Sequence, residues 1–129
     1  MQGPLGRVLV VDDHPINRLL LERVLELEHV EVAVAGSIAE AERELATAVP
    51  PVIVLDLQLP DGYGLDLVRR LKADPRTSRS AVVACTARRA PDEEQLAFNA
   101  GCSAFMTKPI DTRQFAALVC SLLPAPVEN

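Results

Sequence analysis

Four apolar runs in this chain stop abruptly at a polar side chain, and that pattern restricts the fold more than any other feature. Arg7-Val8-Leu9-Val10-Val11 closes on Asp12-Asp13, and Val52-Ile53-Val54-Leu55 closes on Asp56. Ala81-Val82-Val83-Ala84-Cys85 is followed by Thr86, and Ala104-Phe105-Met106-Thr107 by Lys108. Runs this short and continuously apolar read as strands buried on both faces, the habit of parallel sheets. A fifth run, near residues 30–35, adds another strand. In an open α/β sheet, ligands bind just beyond the carboxyl ends of the strands. Three carboxylates, one hydroxyl and one ammonium are therefore expected at one mouth, a set suited to phosphoryl transfer.

Segments with helical spacing alternate with these runs. The first helix is expected to start at Pro15, a residue pre-organised for an N-terminal turn. Ile38, Ala41, Leu45 and Ala48 mark a second helix with Ser37 as its N-cap. Leu65, Val68 and Leu71 mark a third, and Leu96, Ala97 and Ala100 a shorter fourth. Phe115, Leu118, Val119 and Leu122 mark the last, with Asp111 placed to cap it. Five βα units with short, right-handed connections imply a parallel sheet covered by helices on both faces. At 129 residues the chain suits one domain with a real core. Residues 7–123 are expected to form it, with flexible tails at 1–6 and 124–129. The run Gly3-Pro4-Leu5-Gly6 is set aside from fold reasoning, and Pro124-Ala125-Pro126 stops the last helix. No stretch is left for an output domain.

Composition removes several functional classes. No apolar run is long enough to span a bilayer, and no secretory signal pattern opens the chain. The formal net charge of −5 argues against a nucleic-acid surface. Arg69, Arg70, Lys72, Arg76 and Arg79 form a local basic stretch that reads as a solvated helix face and loop. Cys85, Cys102 and Cys120 lie in apolar surroundings without CxxC spacing, as buried reduced thiols of a cytoplasmic protein do.

The charges impose their own requirement. Two carboxylates about 4 Å apart repel by about 4 kcal/mol at an effective dielectric near 20. Asp12, Asp13 and Asp56 can converge only if one takes a proton or a cation binds. Hard oxygen donors favour Mg²⁺, or Mn²⁺, over a soft metal, and no histidine or cysteine stands among them to make a zinc site. The plainer alternative makes Asp12 and Asp13 caps of the following helix, a task for which one aspartate suffices.

These motifs resemble the receiver domains of two-component response regulators. The resemblance covers residues 6 to 123. It rests on Val10-Val11-Asp12-Asp13-His14-Pro15-Ile16-Asn17-Arg18, on Val54-Leu55-Asp56-Leu57-Gln58-Leu59-Pro60-Asp61-Gly62, on Thr86-Ala87 and on Phe105-Met106-Thr107-Lys108-Pro109. Each motif alone is weak; four in order at the right strand ends are specific. The stretch after Asp13 and the ending Lys108-Pro109-Ile110 look most like receivers fused to hybrid sensor kinases. The resemblance implies a flavodoxin-like, doubly wound (βα)5 fold with a five-stranded parallel sheet in the order 2-1-3-4-5.

It also implies roles. Asp56 would be the nucleophile that takes a phosphoryl group from a phosphohistidine. Asp12, Asp13, Asp56 and the backbone carbonyl of Gln58 would hold the metal, and Lys108 and Thr86 would contact phosphoryl oxygens. The small Ala87 leaves the approach to Asp56 open. The Lys108-Pro109 peptide is commonly cis in such domains. Thr86 and Phe105 would form the switch, Phe105 swinging inward as Thr86 moves, with the face of the fourth helix, fifth strand and fifth helix reporting the change. Gln58 and Arg88 would flank the hydrolytic water, Arg88 slowing the loss of phosphate. On the first helix, Leu20, Leu21, Val24 and Leu25 would face the sheet. Ile16 and Leu19 would then stand exposed near Pro109 to receive a sensor histidine kinase or a histidine-phosphotransfer domain. The domain would modify itself and lose its phosphate, without turnover of a substrate, as a monomer or weak dimer. It would be cytoplasmic, tethered to the membrane where it belongs to a hybrid sensor kinase.

The sequence departs from the pattern at Tyr63, where an acidic residue is common, and at His14, where hybrid-kinase receivers often carry Asn. Other readings are a stand-alone single-domain regulator, a non-phosphorylated pseudo-receiver, and a hydrolase of the haloacid-dehalogenase kind. The last wants an aspartate two residues after its nucleophile, where Gln58 stands here. Flavodoxin-like cofactor binding lacks its phosphate loop.

Overall fold

The structure, a computed structural model, describes residues 6–87 and 91–124. Five strands, β1 (Arg7–Val11), β2 (Glu31–Ala35), β3 (Val52–Asp56), β4 (Ala81–Thr86) and β5 (Ala104–Thr107), alternate with five helices. These are α1 (Pro15–Glu26), α2 (Ile38–Thr47), α3 (Gly64–Ala73), α4 (Glu93–Ala100) and α5 (Thr112–Leu122). The strands pair in parallel in the order β2-β1-β3-β4-β5, the flavodoxin-like (βα)5 arrangement.

Why helices cover both faces is visible in the period of two along each strand. Leu9, Val11, Ile53, Leu55, Val82 and Ala84 point to one face and pack with Ile38, Leu45, Leu65, Val68, Leu71 and Ala97 of α2, α3 and α4. Their neighbours Val8, Val10, Val52, Val54, Val83 and Cys85 point to the other and pack with Leu21, Leu25, Phe115 and Val119 of α1 and α5. Asp56 ends the fully buried β3. Two expected caps are made: the Ser37 hydroxyl accepts from Glu40 N–H at 3.1 Å, and Asp111 accepts from Arg113 and Gln114 N–H at 3.0 and 3.1 Å. Among the described residues no helix is long and apolar enough to cross a membrane.

Four expectations need correction. Leu20 does not face the sheet; it is 47% exposed, while Leu21 and Leu25 carry the buried stripe of α1. Adjacent helical residues diverge by about 100°, so one sheet-facing stripe cannot hold both Leu20 and Leu21 at its centre. Leu96 is likewise 44% exposed, because α4 buries Glu93 and Ala97, four residues apart on one face. Ala48 lies just past the end of α2 in extended backbone. Cys120 is half-buried rather than buried, being on the flank of α5, although all three thiols are free.

One element was absent from the expectation altogether. Gln58–Leu59 and Gly62–Tyr63 form a small antiparallel hairpin between β3 and α3, with Gln58 opposite Tyr63. Two residues per strand are too few for any periodicity to show. Gly64 follows it, and its N–H donates to the Leu57 carbonyl at 2.7 Å. A Cβ there would stand 2.8 Å from both the Asp56 carbonyl oxygen and Leu57 Cα, so only glycine lets α3 begin this close to the end of β3.

Candidate phosphoacceptor site

The strand order sets Asp12, Asp56, Thr86 and Lys108 along one edge, at the exits of β1, β3, β4 and β5. Asp12, Asp56 and Thr86 are buried. Lys108 Nζ donates to Asp12 Oδ2 and to Asp56 Oδ2, each at 3.0 Å. The second oxygen of each carboxylate is also used: Asp12 Oδ1 accepts from His14 N–H at 2.9 Å, and Asp56 Oδ1 from Gln58 N–H at 3.0 Å. Both aspartates thus fold the chain back over themselves two residues on, a local habit of Asp at strand ends. Asp12 does not cap α1, whose N-cap residue, His14, makes no side-chain cap.

Backbone contacts brace the constellation. Lys108 N–H donates to the Thr86 carbonyl at 2.8 Å, and the Lys108-Pro109 peptide is cis. Asp12 N–H donates to the Ala35 carbonyl at 3.0 Å, and an Arg18 guanidinium N–H donates to the Asp12 carbonyl at 3.0 Å. The sequence motif by itself gives Arg18 no role. The same holds for Asp61, whose carboxylate oxygens accept from Ile38 N–H at 2.9 Å and Ala39 N–H at 3.0 Å, capping α2 from the hairpin. Those backbone donors hold the Asp61 pKa below its usual value. No short-range pattern could reveal a cap that reaches across 23 residues.

Asp13 is half-buried, with His14 Nε2 3.9 Å away. One carboxylate oxygen from each of Asp12, Asp13 and Asp56 lies within 4.8 Å of the others. Three hard, anionic oxygens in that space suit Mg²⁺, and a divalent ion there would offset their mutual repulsion and polarise a phosphoryl oxygen. Burial alone would depress the Lys108 pKa, but hydrogen bonds and charge from Asp56 and Asp12 outweigh it and the net shift is upward. The ammonium is therefore kept. Cys85, paired in register with Asp56, is pushed to about 12, chiefly by burial and against the opposing pull of Lys108. It supplies no thiolate nucleophile here.

Above these groups opens a cavity of ≈ 660 Å³, lined among others by Asp13, Ile16, Asp56, Gln58, Ala87 and Lys108. Asp12 and Thr86, both buried, are not among its lining residues. Ile16 is 84% exposed at the rim, and Leu19 and Pro109 are exposed too. Phe105 is half-buried and packs against the α2–α3–α4 face. Arg88 lies outside the described residues.

The family model of the response regulator receiver domain matches residues 8–119. The chain is 39% identical over 117 residues to the response regulator PleD of Caulobacter vibrioides, covering 91% of this chain but 26% of that protein. It is 30% identical over 116 residues to the polar-differentiation response regulator DivK of Brucella ovis, covering 90% of this chain and 94% of that one. The signal receiver domain of a signal transduction histidine kinase from Syntrophus aciditrophicus superposes with a TM-score of 0.84 at 29% identity, covering 92% and 89% of the two chains. The family match runs from the first core strand into the last helix and so takes in every strand end described above. This chain belongs to the response regulator receiver domain family.

Proposed function

We propose that Asp56 accepts a phosphoryl group from a phosphohistidine in a two-component phosphorelay. The observation that carries this reading is the double bridge from Lys108 to Asp12 and Asp56, with Asp13 close enough to share one cation. An Asp56 oxygen attacks phosphorus, the P–N bond of the phosphohistidine breaks, and the imidazole nitrogen keeps the electron pair. In this reading Lys108 follows the charge from the carboxylate onto a phosphoryl oxygen, and the Thr86 hydroxyl donates to another. Asp12, Asp13, Asp56 and the Gln58 carbonyl would hold Mg²⁺ or Mn²⁺. Ala87, at the cavity wall, leaves the line of approach clear.

The remaining roles follow the same reading. Thr86 and Phe105 act as the switch, and Gln58 and Arg88 set the rate at which water removes the phosphate. Ile16, Leu19 and Pro109 form the rim on which a sensor histidine kinase or histidine-phosphotransfer domain docks, because exposed apolar side chains beside a charged pocket mark a partner surface. Residues 7–123 form the functional unit. As the receiver of a hybrid histidine kinase the chain would be one piece of a longer protein, a reading that the histidine-kinase receiver from Syntrophus supports. The stand-alone reading is favoured by DivK, which the chain matches over 94% of its length.

Intact mass after incubation with a small acyl-phosphate donor, with and without Mg²⁺, tests the proposal on wild type and Asp56→Asn. A metal-dependent gain of one phosphoryl group, stable in acid, labile in base and absent from the variant, is expected. Label that persists in Asp56→Asn sinks the assignment. Failure of wild type to take up either phosphate or beryllofluoride favours the pseudo-receiver, and continuous phosphate release the hydrolase.

A further inference from the structure

Helix α4 turns a narrow face to the core. Where α3 buries Leu65, Leu67, Val68 and Leu71, α4 buries only Ala97 and Glu93. Leu96 and Phe98 project outward. A methyl group and a carboxylate are poor anchors, since apolar burial scales with area and a buried carboxylate must find partners. Glu93 is 6% exposed and has one hydrogen bond: its Oε2 accepts from the Tyr63 hydroxyl at 3.1 Å. Its other oxygen, Oε1, is buried with no hydrogen-bond partner among the described residues. Among the described residues, the bond to Tyr63 is the one that ties the Glu93 carboxylate, at the start of α4, to the hairpin.

Tyr63 stands where an acidic residue is common in receivers, and an acid there would repel Glu93. Its phenol is kept protonated, since burial and the neighbouring Glu93 both raise its pKa. Its ring packs against the α2–α3–α4 core. Across the hairpin it sits opposite Gln58, whose N–H donates to Asp56 Oδ1. A continuous series of contacts thus runs from the phosphoacceptor oxygen through Gln58 and Tyr63 to Glu93.

We propose that the Tyr63–Glu93 hydrogen bond is a latch that holds the first turn of α4 against the hairpin in the unphosphorylated state and opposes phosphorylation of Asp56. The proposal rests on the receiver reading above. Charge placed on Asp56 alters the bond its Oδ1 makes with Gln58, shifts the hairpin, and moves the Tyr63 hydroxyl away from Glu93. Tyr63 and Glu93 are positioning residues; neither touches the reacting atoms.

Reciprocity supplies the test: a bond that opposes the phosphorylated state must weaken binding of its mimic. Titration with beryllofluoride and Mg²⁺ is to be compared in wild type, Tyr63→Phe, Glu93→Ala and the double variant, with hydrogen exchange of the α4 amides in the unliganded proteins. Each single variant is expected to bind the mimic about fivefold more tightly, a coupling of the usual size. The double variant should gain no more than either single one. Exchange in the first turn of α4 should quicken in Tyr63→Phe. Unchanged affinity, or effects that simply add, overturns the latch. If wild type binds no mimic the receiver reading fails, and exchange still decides the tie itself: equal rates in wild type and Tyr63→Phe refute it.

Discussion

Replacing Lys108 by Met keeps most of the side-chain volume and removes the one ammonium bonded to both Asp12 and Asp56. The two ion pairs are 3.0 Å long, between carboxylates 3% and 6% exposed and a lysine 11% exposed. At that separation and an effective dielectric near 20, each pair attracts by about 5 kcal/mol before desolvation is subtracted. Truncating one partner of such a buried pair typically costs about 3–5 kcal/mol, because the remaining charge is left without compensation. Two carboxylates are left here, with Asp13 close by, so the upper half of that range is expected in metal-free buffer. Urea unfolding measures it as a fall in the midpoint without a change in slope. Millimolar Mg²⁺ should restore more stability to Lys108→Met than it adds to wild type, since the ion replaces the missing positive charge and stabilises by mass action. A loss below about 1 kcal/mol, or a variant that gains no more from Mg²⁺ than wild type, would refute an electrostatic role for the bridge.

Other perturbations probe separate parts. Gly64→Ala forces a Cβ against the Asp56 carbonyl and Leu57 Cα, so it should cut phosphoryl uptake at least tenfold and lower stability by about 2 kcal/mol; uptake equal to wild type would remove Gly64 from the set that positions Asp56. Ile16→Ala with Leu19→Ala should slow transfer from a phosphohistidine protein while leaving transfer from a small acyl phosphate unchanged, and slowing of both would argue against a docking rim. The Asp61 pKa is lowered in the fold, so its caps stabilise above the unfolded carboxylate pKa and fade as pH falls through the lower folded value. Asp61→Ala should therefore lower the melting temperature at pH 7 and converge on wild type in acid; a constant gap would show the effect is not ionic. Native thiol titration at pH 8 should label Cys120 alone, as Cys85 and Cys102 are buried with pKa values of about 12 and about 11, and rapid labelling of Cys85 would contradict its burial.

Most of the architecture was legible because strand burial and strand ends are local signals. Four apolar runs named their own terminal residues, and the sheet order then had to bring those residues to one edge. The acidic trio could be read on electrostatic grounds alone, since Asp12-Asp13 and Asp56 would be unstable together without a cation. What escaped was set by tertiary partners. Leu20 and Leu21 are equally apolar, and only the placement of α1 over Val8, Val10 and Val54 decides which is buried. The Asp61 cap and the Tyr63–Glu93 bond join residues 23 and 30 positions apart, beyond any helical or strand period. In α4 the buried face is an alanine and a glutamate, so hydrophobic pattern pointed to Leu96 instead.

Under the proposed phosphoacceptor role, charge balance at the site calls for a cation. In the structure one ammonium serves three carboxylates, so the mouth carries a formal charge of about −2. Exchanging the Asp56 carboxylate for an acyl phosphate of about −2 charge leaves Asp12 and Asp13 in place and deepens that deficit. Lys108 spends two of its three ammonium N–H donors on Asp12 and Asp56, and its single positive charge, however it is shared, cannot offset the enlarged negative charge. Asp12 and Asp13 would hold a divalent ion that supplies the missing positive charge, which would leave Lys108 available to a phosphoryl oxygen. Lys108→Met should accordingly retain Mg²⁺ binding while losing phosphoryl uptake, and loss of the metal as well would show that the ammonium organises the acidic cluster rather than competing for it.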